Sequence, residues 1–465
     1  MGFQPVTPDL IRQLEEIVGP GFVSSDSEAL SLHSQDETED LRFSPDVVVR
    51  PSKAEEVSRI LMLANGAGVP VTPRGGGTGL SGGALPVFGG ICLSMDRFNK
   101  ILSIDRQNFQ AVVEPGVTTQ RFQEELEPLG LFYPPDPSSR GTCQLGGNLA
   151  ECAGGPRAVK YGVTKDYVLG LEAVLPTGEI IRTGAAVLKN VTGYNLTQLL
   201  IGSEGTLAVI TQITFRLIPL PRLRQVVLVP FSSLEQATAA VAAIFQEGIT
   251  PSALEFMERA AVKAAENRLG KQWPNGDAEA QLLIEVDGSH EETLAGDIEV
   301  IAGVVERFGA KDVLLADDRQ KVDDIWALRR SIGESVKAIS AYKEEDTVVP
   351  RANLPQLVRG VKEIAQRYGI TAICYGHAGD GNVHVNILKE KMDDATWEKN
   401  LDGAVREIFQ HTVSLGGTIS GEHGIGYSQR PYLSIAISPI ELKLMRDIKR
   451  TFDPNGILNP GKIFS

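Results

Sequence analysis

Paired cysteines, long apolar runs and blocks of one charge are all missing from this chain of 465 residues. Its four cysteines, Cys92, Cys143, Cys152 and Cys374, are too scattered for the close pairs of a zinc ribbon or an iron–sulfur motif. They read as buried thiols of a reducing compartment. No apolar run approaches the roughly 18 residues of a membrane-spanning helix. "MGFQPVTPDLIRQLEEIVG" passes straight into an amphipathic helix with no secretory leader, and Val6 breaks the acylation pattern that Gly2 would begin. A soluble cytoplasmic protein is expected. Acidic residues outnumber basic ones, 59 to 45, for a formal net charge of -14, and no Lys/Arg-rich block occurs. That excludes a nucleic-acid groove, while an anionic small substrate remains compatible where a few cations converge. Internal repeats and low-complexity tracts are also absent, so the length points to two or three globular domains.

Glycine, by contrast, is abundant and clustered. "PRGGGTGLSGGA", residues 73–84, holds six glycines between Gly75 and Gly83. Within it lies Gly77-x-Gly79-x-x-Gly82, with Asp96 near the distance at which a dinucleotide fold grips a ribose. That fold needs a helix directly after the glycines. Gly82, Gly83, Pro86, Gly89 and Gly90 follow instead, and no useful helix survives them. An NAD site is therefore excluded. Successive glycines can still turn several N–H groups into one anion-binding concavity, with Arg74 at its rim. Two further glycine-rich segments, 136–155 ("DPSSRGTCQLGGNLAECAGG") and 202–211 ("GSEGTLAVIT"), suggest a long ligand with its own phosphates.

The spacing predicts a helix over "SKAEEVSRILMLANGAG" and strands at "VPVTPR", "GICLSMD" and "FQAVVEPGV". From Arg222 the composition shifts. "RQVVLVPF" (strand), "SLEQATAAVAAIFQEG" (helix, with a Ser233/Gln236 capping box), "ALEFM" and "AQLLIEVDG" (strands), "HEETLAGDIEVIAGVVERFG" (helix) and "AKDVLLAD" (strand) run β-α-β-β-α-β. This is the ferredoxin-like order. Helices at "DDIWALRRSIGESV" and "LPQLVRGVKEIAQRYG", a strand–turn–strand at "ITAICYGHAGDGNVHVNIL" and a final helix at "SPIELKLMRDIKRTF" complete the chain.

Four of the six histidines fall in the last 90 residues. His377 and His384 flank the turn Gly379-Asp380-Gly381 and face one another, and Asn386 shares a strand face with His384. In "GEHGIG" the glycines permit an irregular backbone that delivers Glu422 and His423 to one site. Two imidazoles and a carboxylate with open positions are how proteins hold a catalytic divalent ion, zinc by default, with manganese or iron as alternatives. His423 is then free to act as a base. His33, His290 and His411 read as packed or surface residues. Arg329, in "IWALRR", is either part of a solvated helix face or a clamp on a substrate carboxylate.

"PRGGGTGLSGGA", "GGNLAECAGG", "GSEGTLAVIT", "GHAGDGNVHVNI", "GEHGIG" and "NPGKIF" occur in this order from about Asp46 to Lys462. In this the chain resembles the FAD-linked 2-hydroxy-acid dehydrogenases of the vanillyl-alcohol-oxidase fold, on the side of glycolate oxidase flavoprotein subunits and D-lactate dehydrogenases, with D-2-hydroxyglutarate dehydrogenases as relatives. The resemblance implies an α+β chain: a two-part FAD-binding domain (1–221 and a returning segment, 421–465) and a ferredoxin-like α+β substrate or cap domain (222–420). It implies non-covalent FAD against Pro73, Arg74, Gly75, Gly76, Gly77, Thr78, Gly79, Gly82 and Gly83, and against Pro137, Ser138, Gly141, Thr142, Gly146, Gly147 and Gly154. Glu204, Thr206, Ile210 and Asn459 complete that set. His377, His384 and Glu422 match the metal ligands, His423 the catalytic base, and Arg329 the carboxylate-binding arginine.

Relatives specific for hydroxyglutarate have Thr and Lys where this chain has Gly333 and Glu344, which points away from a dicarboxylate. The expected reaction is oxidation of D-lactate or glycolate to the 2-oxo acid. Electrons would then pass to a separate acceptor: an iron–sulfur subunit, a quinone, a cytochrome or an electron-transfer flavoprotein. D-2-hydroxyglutarate dehydrogenation, and an FAD-binding electron-transfer subunit without its own turnover, are the alternatives. Peripheral membrane association, and a homo-oligomer or hetero-complex, stay open.

Overall fold

The computed structural model describes residues 2–316 and 318–464. The chain divides into two compact units: Met1–Gly154, Val163–Leu220 and Glu422–Ser465 form the first, and Gly155–Gly162 with Pro221–Gly421 the second.

In the first unit Val23–Ser24 (β1), Val47–Val49 (β2), Val71–Arg74 (β3) and Ile91–Ser94 (β4) make a sheet of order β1-β2-β4-β3. Both β2 and β3 run parallel to β4, and the Ala54–Ala67 helix makes the crossover. That helix forms because Val57, Ile60, Leu61 and Ala64 recur at helical spacing and bury one face, while Glu55 and Glu56 favour its first turn. Gly68 ends it at φ 67°, a left-handed conformation that costs glycine little. Each fully buried aliphatic side chain of this face contributes about 1.5–3 kcal/mol.

The remaining strands of this unit are Ile101–Asp105 (β5), Gln110–Val113 (β6), Leu131–Phe132 (β7), Val168–Val174 (β8), Ile180–Gly184 (β9), Val209–Arg216 (β10) and Ile218–Pro219 (β11). Five of them form an antiparallel sheet of order β5-β6-β10-β8-β9, and β7 pairs with β11. Strict alternation in β10 buries Val209, Thr211, Ile213 and Phe215. Phe215 closes on Tyr133, ring centroids 4.8 Å apart, and Tyr133 meets Phe122 at 5.2 Å. No helix follows β3 before residue 90, as expected from the glycines there.

In the second unit Leu223–Phe231 (β12), Ala253–Glu258 (β13), Ala280–Gly288 (β14), Leu314–Ala316 (β15), Tyr342–Val348 (β16), Thr371–Gly376 (β17) and Asn382–Leu388 (β18) form one antiparallel sheet. Its order is β15-β12-β14-β13-β17-β18-β16. The first four strands reproduce the expected ferredoxin-like arrangement. Asp317, the last residue of the strand expected at "AKDVLLAD", and Met1, which opens the N-terminal stretch, lie outside the described residues. An additional helix, Arg259–Leu269, is inserted between β13 and β14.

The Leu234–Gln246 helix starts as expected, with Ser233 Oγ accepting from the Gln236 amide at 3.3 Å. Residues 155–162, expected in the first domain, cluster with the second unit. Tyr161 donates from its hydroxyl to Asp287 at 2.8 Å, and Lys160 pairs with the same carboxylate. One sheet face packs on the Arg259–Leu269 and Arg319–Lys337 helices through Met257, Leu283, Trp326, Ile332 and Val336.

Candidate active site

The glycine segments of the first unit converge. A Cβ on Gly76 would stand 2.5 Å from the Thr142 carbonyl oxygen, and one on Gly75 only 3.6 Å from the Gly147 amide nitrogen. A Cβ on Gly77 would strike the Arg74 guanidinium, and Gly77 also sits at φ 69°, so only glycine fits there. At Gly79 and Gly147 the Cβ direction is open.

Among the described residues, the amides of Gly75, Gly76, Gly77, Thr78 and Gly79 donate to no acceptor. The buried Nη1 of Arg74 has no partner, although its Nη2 donates to the Gln35 carbonyl at 2.8 Å. Consecutive free amides beside an unpaired guanidinium NH are suited to an anion. Pro137, Ser138 and Gly141 lie in the turn segment that leads to Thr142, Gly146 packs against Pro115, and Gly154 follows the Leu145–Glu151 helix.

The third segment joins through Asn459, whose side-chain amide donates to the Gly83 carbonyl (3.0 Å) and the Glu204 carbonyl (2.7 Å). Thr206 is buried and bonds to the Ser203 carbonyl, while Ile210 is half-buried on β10. The Glu204 carboxylate accepts from the amides of Ile425 (2.8 Å) and Gly426 (2.7 Å). Its charge therefore holds the backbone just after His423.

In the second unit the candidate side chains share one sheet face. The register opposes His384 to Tyr375 on β17 and to Asp346 on β16, and Asn386 to Glu344. The rings of His377 and His384 stand edge to face, centroids 5.3 Å apart, with ring nitrogens within 4.8 Å. His384 Nδ1 lies 3.7 Å from Asp346 Oδ1. His377 Nδ1 bonds to both oxygens of Glu255 on β13, at 2.8 and 3.0 Å.

Glu255 is fully buried and forms an ion pair with Arg329. Burial would raise its pKa, but the Arg329 and His377 charges outweigh that and hold it below the ordinary value. Arg329 itself is only 4 % exposed, 5.4 Å from the Tyr375 ring, so the solvated-face reading fails. Asn386 donates to the Tyr375 hydroxyl (3.1 Å), which donates to Glu344 (3.2 Å), and Glu344 pairs with Lys337 (2.9 Å).

Residues 220–463 match the family of FAD linked oxidases, C-terminal domain, and residues 45–184 match an FAD binding domain. The chain is 39% identical to a D-lactate dehydrogenase of Anaerostipes hadrus, with 99% of this chain and 98% of the relative covered. The chain belongs to the FAD-linked oxidase family. The glycolate oxidase subunit GlcD of Bacillus subtilis is 38% identical, covering 99% of this chain and 97% of that one. A D-2-hydroxyglutarate dehydrogenase of Stutzerimonas stutzeri is 33% identical, covering 98% and 99%. The fold is that of p-cresol methylhydroxylase, TM-score 0.80 at 18% identity, with 97% of this chain and 96% of that one covered. The free amides and the Arg74 guanidinium fit the pyrophosphate that an FAD-linked oxidase must hold.

Sequence reasoning missed Glu255, Tyr375 and Asp346. Glu255 is the one acid among the inward-facing positions Ala253, Glu255 and Met257 of a fully buried strand, and that was the readable signal. Cys152, expected to be buried, is only half-buried: it caps the Leu145–Glu151 helix in a left-handed conformation, φ 55°. His33 is buried against the Ala29 carbonyl, His290 is exposed, and His411 bonds to the Gln356 carbonyl at 3.1 Å.

Glu151, also unread, is half-buried in the first unit of this FAD-linked oxidase, with its Oε2 buried. Its oxygens lie where Cβ atoms on Gly83 and Gly424 would stand. Burial, then the neighbouring Glu204, with Asp36 adding, pushes its carboxyl well above the usual range; only Lys462 opposes. Lys462 is itself brought down by burial to about 7. A carboxyl whose folded pKa is raised loses stability as pH climbs from its unfolded pKa, and a tenfold displacement is worth about 1.4 kcal/mol. Glu151→Gln removes that loss. Its melting temperature, measured on FAD-free protein, should exceed the parent's at pH 8, and the gap should close toward pH 4.5. A gap constant with pH would show Glu151 to be ionised.

Proposed function

We propose that this chain oxidises a short 2-hydroxy acid, D-lactate or glycolate, to the 2-oxo acid. What carries the reading is the buried Arg329, on a helix packed against the sheet face of the His377 and His384 imidazoles, with one carboxylate, Glu255, serving Arg329 and His377. The guanidinium pairs with the substrate carboxylate through donors that Glu255 leaves over. His377, His384 and Glu422 are the metal set. In support, the Gly421 amide donates to Asp346 Oδ2 at 2.7 Å, and Asp346 stands beside His384, so Glu422 begins one peptide from that strand position. His423, next in the chain, takes the hydroxyl proton as general base.

FAD, when bound, supplies the two-electron acceptor for the C2 hydride at flavin N5. A divalent ion, zinc by default, supplies positive charge at the substrate oxygens. We assign the first unit to FAD and the second to substrate, and the FAD set to the three glycine segments with Asn459. Electrons leave to a separate acceptor, and the word "subunit" in the Bacillus relative's name favours a partner chain. No helix among the described residues is long and apolar enough to cross a membrane; our proposal for the compartment is the cytoplasm, in keeping with the scattered cysteines.

Substrate size follows from Gly333. A Cβ there would stand 3.3 Å from the Tyr375 hydroxyl, which is tied to the buried Glu344 carboxylate. Glu344 in turn engages the nearby Lys337 ammonium (2.9 Å), so that cation is already committed to a protein carboxylate rather than to a second substrate carboxylate. A panel of 2-hydroxy acids, both enantiomers, with a dye acceptor tests this. Glycolate or D-lactate should lead D-2-hydroxyglutarate by about tenfold or more in kcat/KM, equivalent to about 1.4 kcal/mol. Faster hydroxyglutarate turnover would move the chain to the dicarboxylate branch. No turnover with any acid would leave an electron-transfer subunit.

A further inference from the structure

We propose that Glu255 is a positioning residue that couples His377 to Arg329, one buried carboxylate setting the geometry of both the metal-facing imidazole and the carboxylate-facing guanidinium. The inference rests on the roles assigned to those two residues under Proposed function. Glu255 sits on β13 two residues before Met257, which pairs with Tyr375, so the same face carries it opposite His377 just beyond the end of β17.

A carboxylate ion-paired with Arg329 only accepts hydrogen bonds, so both short contacts of Glu255 to His377 Nδ1 place the imidazole proton on Nδ1. The Nε2 lone pair is then the one available to a metal, and the ring plane is fixed. The same carboxylate forms an ion pair with Arg329, whose buried Nε has no hydrogen-bond partner. Guanidinium offers five donors in a rigid fork. Pinning one edge orients the rest. The charges of Glu255 and Arg329 cancel within the buried face, so an incoming carboxylate meets a guanidinium already desolvated and held.

A purely structural ion pair would predict only a loss of stability when Glu255 is changed. Positioning predicts more. Glu255→Gln keeps the volume but can donate as well as accept, and no longer forces the Nδ1 tautomer. In purified protein reconstituted with Zn²⁺ and titrated with a chelator, the variant should bind Zn²⁺ about 10–100-fold more weakly. Its KM for glycolate should rise by more than its kcat falls, and the Co²⁺-substituted form should show an altered visible spectrum. Glu255→Asp, which keeps the charge one methylene short, should lie between parent and Gln in all three readouts, and it decides the matter if the Gln variant does not fold.

Unchanged Zn²⁺ affinity and KM in a folded variant, beside a parent that binds Zn²⁺ and oxidises glycolate, would overturn the positioning role alone. A parent that neither binds Zn²⁺ nor oxidises a 2-hydroxy acid would overturn the proposed function, and this inference with it.

Discussion

His423→Asn is expected to keep its FAD and its metal while flavin reduction by substrate slows about 10²–10⁴-fold, the usual size of a missing general base. Asparagine retains a polar side chain of nearly the same reach but cannot take a proton at neutral pH. The backbone around it is held independently of the imidazole. Upstream, the Gly421 amide is anchored on Asp346; downstream, the Ile425 and Gly426 amides are anchored on Glu204. Gly424 and Gly426 take left-handed conformations, φ 80° and 49°, that fix the local turn without using the side chain between the anchors.

His377→Ala, His384→Ala and Glu422→Gln should behave differently, losing metal and turnover together, because a three-ligand site seldom survives the loss of one donor. Metal analysis of the four purified variants beside stopped-flow bleaching of the flavin separates the two patterns. Stoichiometric metal in His377→Ala, or metal lost only in His423→Asn, would reverse the roles. A parent fully active after exhaustive chelation would remove the metal from the mechanism.

Periodic elements were readable because hydrophobic spacing encodes them. The Ala54–Ala67 helix, the alternating β10 and the ferredoxin-like core each bury one regular stripe. β16 escaped for the opposite physical reason. "YKEEDTV" reads as a solvated loop, yet Glu344, Glu345 and Asp346 are all buried. Their surroundings come largely from residues far along the chain: Tyr375 for Glu344, and Asn382, Ser420 and Gly421 for Asp346. Pairing of that kind has no local signature. Strands that break the burial rule are where functional chemistry concentrates.

The site histidines were legible because glycines bracket them, whereas their supporting carboxylate was not, since Glu255 lies 122 residues from His377. Arg329 could have been placed more firmly. Val322, Trp326, Arg329, Ile332 and Val336 recur at helical spacing, so the arginine occupies an apolar stripe that must be covered.

That placement decides how Arg329 should be tested. Arg329→Ala should raise KM for every carboxylate substrate and depress kcat, since the guanidinium both binds and aligns the acid. The combined loss in kcat/KM should correspond to about 2–5 kcal/mol, the cost of truncating one member of a buried charged pair. The same truncation strips Glu255 of its counter-charge, and an uncompensated buried carboxylate costs about 3–5 kcal/mol of stability. The single variant therefore confounds lost recognition with a weakened fold.

Combining Arg329→Ala with Glu255→Gln separates them, because the double variant buries neither charge. Its melting temperature should recover toward the parent's while kcat/KM stays at least as low as in Arg329→Ala, since Arg329 no longer supplies a cation for the substrate. Thermal unfolding and steady-state kinetics on parent, singles and double complete the cycle. Activity recovering along with the melting temperature would mean that Arg329 serves the fold alone. An Arg329→Ala variant with unchanged kcat/KM would place the carboxylate-binding group elsewhere on this face.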